Sequence, residues 1–198
     1  MNYNYADREV RHIESLLIGS FFRLKGLVSF DELNILQSVN SLYSKADGII
    51  RQGLLRIARQ AYRAAAKEEQ RSIDFGWLSL LLMGYDPVSK YVFDNELDRK
   101  RSRLIEAMIA SRDKPGEVSA ALRGVSLMVR IYAIRVADEA TLQAYKDCGV
   151  EYVRWVAEKD GKTCPCCRER SGKVYRISEL PPKPHPHCRC RYERVGNE

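Results

Sequence analysis

Thr163-Cys164-Pro165-Cys166-Cys167 and Pro181-Pro182-Lys183-Pro184-His185-Pro186-His187-Cys188-Arg189-Cys190 are the two segments on which the reading of this chain turns. Five of the six cysteines and two of the three histidines fall inside them. A Cys-x-x-Cys turn presents two thiolates to one point without strain, and a second soft-ligand pair brought back by a hairpin closes a tetrahedron around zinc. Spacing selects Cys164 and Cys167 as the first pair, with His185 and Cys188 as the second. Cys190 is the reserve ligand, because alternation along a strand sets it on the same side as Cys188. Cys166 or His187 substitutes if the turn geometry differs. Four protein ligands leave no open coordination position, so the Zn2+ is read as structural, fixing an element too poor in apolar residues to hold itself. Two other readings of the thiols fare worse. A disulfide framework would spread its cysteines along the chain, and a redox Cys-x-x-Cys needs a βαβ setting that is missing here.

Just before this cluster, Tyr152, Arg154 and Val156 alternate with Val153, Trp155 and Ala157, the period of a half-exposed strand. Val174 to Ile177 and Arg189 to Val195 are two further strand candidates, which predicts a small antiparallel β element folded around the metal. The prolines between Pro181 and Pro186 stiffen the connection, since proline fixes φ and restricts the residue before it.

Upstream the period is helical. Ile13, Leu16, Leu17, Phe21 and Leu24 form one apolar stripe, and Leu33, Leu36, Val39 and Leu42 form the next. Asp47-Gly48 reads as a break before the stripe of Ile50, Leu54, Ile57, Ala58 and Ala61. A short buried helix is expected over Ser72 to Tyr85, ending at Gly84 and Asp86-Pro87, with Pro87 suited to start the next. That helix should run from about Val88 to Ser111, burying Leu97, Leu104, Ile105 and Met108, with Glu96 and Lys100 four apart on its surface. Lys114-Pro115-Gly116 reads as a linker. A last helix from Val118 to Cys148 carries Leu122, Val125, Val129, Tyr132, Val136, Ala140 and Tyr145 inward, with Gly149 as its stop. The expected fold class is α+β: a mainly helical region over residues 1–113, then a second region over 114–198 ending in the zinc-stabilised antiparallel element.

With 198 residues, 45% of them hydrophobic, the chain can bury a real core. No apolar run approaches the ~20 residues of a membrane-spanning helix. Residues 1–9 lack a basic region leading into an apolar stretch, so no signal peptide and an intracellular origin are expected. The net charge of +7 favours polyanionic partners without establishing one.

Taken in order, Trp155, Asp160, Thr163-Cys164-Pro165-Cys166-Cys167, Gly172, Pro181-Pro182 and His185-Pro186-His187-Cys188-Arg189-Cys190 resemble the C-terminal signature of phage minor head proteins of the Mu F type. The resemblance covers about Val118 to Val195. It implies a structural minor capsid protein of a tailed phage or prophage, acting in head morphogenesis at the portal or capsid interior, with a part in DNA packaging or ejection. It also implies the portal and the major capsid protein as partners, contact with phage DNA, several copies per virion, and the host cytoplasm as the place of assembly.

Two other classes compete. A zinc-stabilised nucleic-acid-binding adaptor would use Arg99-Lys100-Arg101-Ser102-Arg103 with Arg51, Arg56, Arg59 and Arg63 against phosphate, although such runs are more often solvated helix faces. From Glu151 onward the formal charge is +4, eleven Lys or Arg against seven Asp or Glu, which zinc-bound thiolates partly offset. A nuclease or transferase would need an acid, a base and an anion clamp, and Arg135 with Glu139 is the best remaining pair. An exposed ion pair explains those two equally well, so the chain is read as no enzyme. Trp77 reads as core, and His12 as a surface residue.

Overall fold

The computed structural model describes residues 4–27, 32–66, 75–84, 92–110 and 115–196. Six helices are described: α1 (Asn4–Leu27), α2 (Glu32–Ala66), α3 (Gly76–Met83), α4 (Phe93–Ile109), α5 (Pro115–Asp147) and the short α6 (Pro165–Arg170). Three strands complete the set: β1 (Tyr152–Val156), β2 (Val174–Arg176) and β3 (Arg191–Arg194). The chain is thus mainly helical with one small antiparallel sheet, as its periodicity predicts.

The scaffold is the pair α2 and α5, each about 50 Å long at 1.5 Å per residue. They form the principal helix interface, against which α1 and α4 pack. α2 keeps a continuous buried stripe through Ile35, Val39, Leu42, Ala46, Ile50, Leu54, Ile57, Ala58 and Ala61. Polar clasps tie the helices at their rims. Arg56 pairs with Glu9, Arg130 forks onto Glu14 at 2.8 and 2.9 Å, and Tyr62 Oη donates to Asp147 at 2.6 Å. Phe93 meets Tyr132 edge to face, 4.9 Å between centroids, while the Arg51 guanidinium lies over Phe93.

The sequence expectation of a break at Asp47-Gly48 is corrected: α2 runs through it unbroken. Glycine in a helix costs about 1 kcal/mol, less than the stripe gains from the buried neighbours Ala46 and Ile50. Asp47 is held inside the helix by Arg51 at 2.8 Å, one turn on. The linker at Lys114-Pro115-Gly116 is likewise corrected, because Pro115 and Gly116 open α5. Proline suits a first helical turn, where its missing N–H has no partner to lose. The first stripe of α2 also shifts: Leu33 and Leu36 are exposed and Ile35 is buried in their place. In α1, Ile13 and Leu17 are buried but Leu16 is exposed. Pro87, Ser111 and the ends of the expected 72–85 helix fall outside the described residues. Within α4, Leu97, Leu104 and Met108 are buried, and Lys100 reaches Glu96 at 3.2 Å.

α5 stops where expected. Gly149 adopts φ +73°, Val150 N–H bonds Tyr145 O at 2.9 Å, and Gly149 N–H bonds Lys146 O at 3.0 Å. These are the paired bonds of a helix closed by a left-handed residue. The chain then turns into β1, the centre of a sheet ordered β2-β1-β3. Trp155 pairs with Tyr192 and Val153 with Tyr175, so one face buries Val153, Trp155 and Tyr192. Tyr145 Oη donates to Tyr192 O at 3.4 Å, seating the β3 edge on α5. One connected core runs from α1 through α5 to this sheet.

Gly48 and Gly53 lie on the same helix and should respond oppositely to alanine. A Cβ at Gly48 meets nothing within 4 Å, so Gly48→Ala is expected to stabilise the protein by roughly 0.5–1 kcal/mol. A Cβ at Gly53 would press into the Ile13 side chain, inside the α1–α2 contact, so Gly53→Ala is expected to destabilise by about 1–3 kcal/mol. Urea unfolding of the two variants checks this.

Candidate metal centre

The metal element grows from β1. Past Val156 the chain crosses a turn built on Asp160, whose Oδ1 accepts from Lys162 N–H at 3.0 Å, and Thr163 N–H bonds Asp160 O at 3.3 Å. Cys164 then caps α6, and its sulfur accepts from Cys167 N–H at 3.3 Å. Pro165 at the first helical position is pre-set for this turn. After β2 and a 3-10 turn at Ile177–Glu179, the prolines carry the chain back, and Cys188 N–H closes a turn on His185 O at 3.2 Å.

Five side chains converge. The ligand atoms of Cys164, Cys167 and His185 lie within 4.8 Å of one another, and so do those of Cys167, Cys188 and Cys190. Cys167 is the shared vertex. Its sulfur is 3.5 Å from Cys188 Sγ and 3.9 Å from His185 Nε2. Ligands at zinc bond lengths in a tetrahedron are about 3.5–3.8 Å apart, so these separations are those of tetrahedral edges. All four residues singled out by spacing are brought to this place, with Cys190 beside them. Cys188 and Cys190 are not on a strand, since β3 begins only at Arg191. Both are nonetheless buried, while His187 is exposed and Cys166 half-buried. Neither of these last two joins a cluster.

The donor set fits a divalent soft-ligand metal on chemical grounds. Burial pushes the Cys167 thiol up to about 12, helped by hydrogen bonds with Cys164 and Cys190, and the hydrogen bond with Cys190 raises Cys188. Cys190, accepting from Cys188, is drawn down to about 6. Buried sulfurs this close cannot all ionise on their own, whereas a bound cation makes their thiolates mutually tolerable.

Three supports went unassigned at the sequence level. Arg189, between the two terminal cysteines, forks onto Asp160 with Nη1 at 2.7 Å from Oδ2 and Nη2 at 2.8 Å from Oδ1. The cation therefore clamps the turn before Cys164 to the returning segment. Lys183 pairs with Asp138 of α5 at 2.5 Å, both side chains nearly buried, and it also donates to Cys188 O at 3.4 Å. Arg170 lies over the Trp155 ring at 5.1 Å and donates to Pro182 O at 2.8 Å. The motif positions of Asp160 and Arg189 were visible, but a fork between residues far apart in sequence leaves no periodic signal.

Beside the cluster, α5 and residues 177–186 enclose a cleft of about 320 Å³, lined by Arg135, Asp138, Glu139, Lys183 and His185 among apolar residues. Arg135 and Glu139, the pair weighed for catalysis, thus share a wall with Asp138, which Lys183 already engages.

This helix, sheet and cysteine arrangement is a cysteine and histidine knuckle able to hold a metal ion, seated on a helical body. Residues 103–193 match the family model described as Phage Mu protein F like protein. Over that stretch the chain is similar to Phage Mu protein F like proteins. The match begins at Arg103, inside α4 and ahead of the Val118 expected from the motifs, so it takes in helix packing as well as the cysteine hairpin. No curated protein and no solved structure matches the chain.

Removing one partner of the buried Lys183–Asp138 pair leaves an uncompensated charge, so Lys183→Ala is expected to cost about 3–5 kcal/mol. The double variant Asp138→Leu with Lys183→Met should recover most of that loss, as read by urea unfolding. The second prediction concerns Asp160, held down at about 2 chiefly by its hydrogen bonds from Arg189. A depressed carboxyl contributes stability that is complete above its unfolded value near 3.9 and lost as pH falls through about 2. Asp160→Asn should therefore lower the thermal midpoint at neutral pH, with the gap to the parent protein closing between about pH 4 and about pH 2.

Proposed function

We propose that the protein is a structural minor capsid component of a tailed phage or prophage, docking at the portal or capsid interior through a zinc-stabilised C-terminal element. The observation that carries this reading is the family match over 103–193, which spans α5, the sheet and the whole cysteine hairpin. The phage-head family supports a virion location and a role in head morphogenesis. A part in packaging or ejection rests on the resemblance alone.

The site supports docking over catalysis. Its soft ligands suit a closed four-coordinate zinc that shapes a surface and leaves no position for substrate. In the neighbouring cleft the most buried carboxylate, Asp138, is neutralised by Lys183. The basic residues considered for DNA are largely engaged within the chain: Arg99 with Glu96, Arg101 with Asp98 and Asn40, Arg51 with Asp47 and Asp94, Arg56 with Glu9. Arg59 lies over Phe75 at 5.8 Å. This favours a protein partner over a nucleic-acid adaptor.

Co-expression with the portal and major capsid proteins of the same genome tests the proposal. The chain is expected to co-sediment with portal rings or proheads, and Cys167→Ser, which removes the shared vertex, should abolish that association. Salt-sensitive DNA binding without portal or prohead association would instead favour the adaptor.

A further inference from the structure

Trp155 is the largest fully buried side chain among the described residues, and its indole Nε1 is buried with no hydrogen-bond partner. Burying an N–H without an acceptor costs about 1–3 kcal/mol, so an indole in this position calls for a partner. Aromatic neighbours hold the ring: Tyr192 meets it edge to face at 5.4 Å, Tyr175 at 6.4 Å, and Arg170 covers it. None of these rings accepts a conventional hydrogen bond at the indole nitrogen.

Strand register shows what lies near it. Trp155 pairs with Tyr192 and Val156 with Arg191, and Cys190 directly precedes Arg191 at that end of the ladder. Cys190 is buried, with its sulfur among those of Cys167 and Cys188. The indole is within reach of that sulfur.

Resting on the metal-centre reading, we infer that Cys190 is one of the four metal ligands, with Cys167 and Cys188, and that Trp155 Nε1–H is the hydrogen-bond donor to its metal-bound thiolate. Trp155 is thus a positioning residue: it touches the ligand, not the metal. The ligand set shifts from the one spacing selects, because Cys190 replaces either Cys164 or His185, the two half-buried members. Two of the three buried thiolates then have a compensating group: Cys190 has the indole, and the Lys183 ammonium stands beside Cys188. Donors behind metal ligands commonly change affinity by about 10- to 100-fold.

The full chain, purified with zinc and then exchanged for cobalt or for cadmium-113, tests this. In the cobalt form, Cys190→Ser should lose one thiolate's share of the sulfur-to-metal charge-transfer absorption. Trp155→Phe should keep that share, shift the band, and raise the metal dissociation constant by about 10- to 100-fold in chelator competition. Because Trp155→Phe could disturb the core, the cadmium form of the unaltered protein gives an independent readout. One of its two indole N–H signals, assigned by Trp77→Phe, should show coupling to cadmium through the sulfur. Metal binding with a charge-transfer spectrum unchanged in Cys190→Ser, or with no such coupling, would overturn the inference and leave the metal centre standing. Absence of bound metal from the unaltered protein would overturn both.

Discussion

The convergence of sulfurs on Cys167 is the constraint on which the C-terminal half depends. Residues 157–190 hold few buried side chains, and those that are buried are largely the cysteines themselves. A hydrophobic core of that size cannot order more than thirty residues against their conformational entropy, which costs about 1–2 kcal/mol per residue for the backbone alone. A metal binding free energy of roughly 10–16 kcal/mol, typical of structural zinc, would change that balance. Around it the other contacts become cooperative. The Asp160–Arg189 fork, the Arg170 bond to Pro182 O and the Lys183–Asp138 pair each join a segment near one ligand pair to a segment near the other or to α5.

The helical body serves this element as a platform. α5 is shared between the two: its buried face packs on α2 and α4, and its C-terminal turns meet β3 through Tyr145 and the proline segment through Asp138. The Mu F-type match starts within α4 and ends in β3, following this continuity rather than a boundary between helical body and metal tail. The proposed docking surface is accordingly a composite of helix and knuckle. Its orientation on the body is set by the Gly149 turn and a buried ion pair.

Much of this was legible in the residues, for physical reasons. The stripe of Ile50, Leu54, Ile57 and Ala61, the alternation from Tyr152 to Val156 and the Gly149 stop are local signals, and each appears where the pattern puts it. Cys-x-x-Cys spacing is local too, and it brings Cys164 beside Cys167. Punctuation misled where burial outweighed it: Gly48 sits inside α2, and Pro115 starts α5 instead of marking a linker. Leu36 shows the limit of stripe reading, since Ile35 takes the buried position one residue away. The pairings that support the candidate metal centre left no such signal. Lys183 with Asp138 and Arg189 with Asp160 join residues tens of positions apart, and nothing in periodicity or spacing encodes such pairs.

Anomalous scattering from crystals of the full-length protein, collected across the zinc absorption edge, tests the central claim most directly. The account predicts a single zinc peak at about 2.3 Å from both Cys167 Sγ and Cys188 Sγ. A map with no peak there, or with those two sulfurs joined as a disulfide, would contradict it.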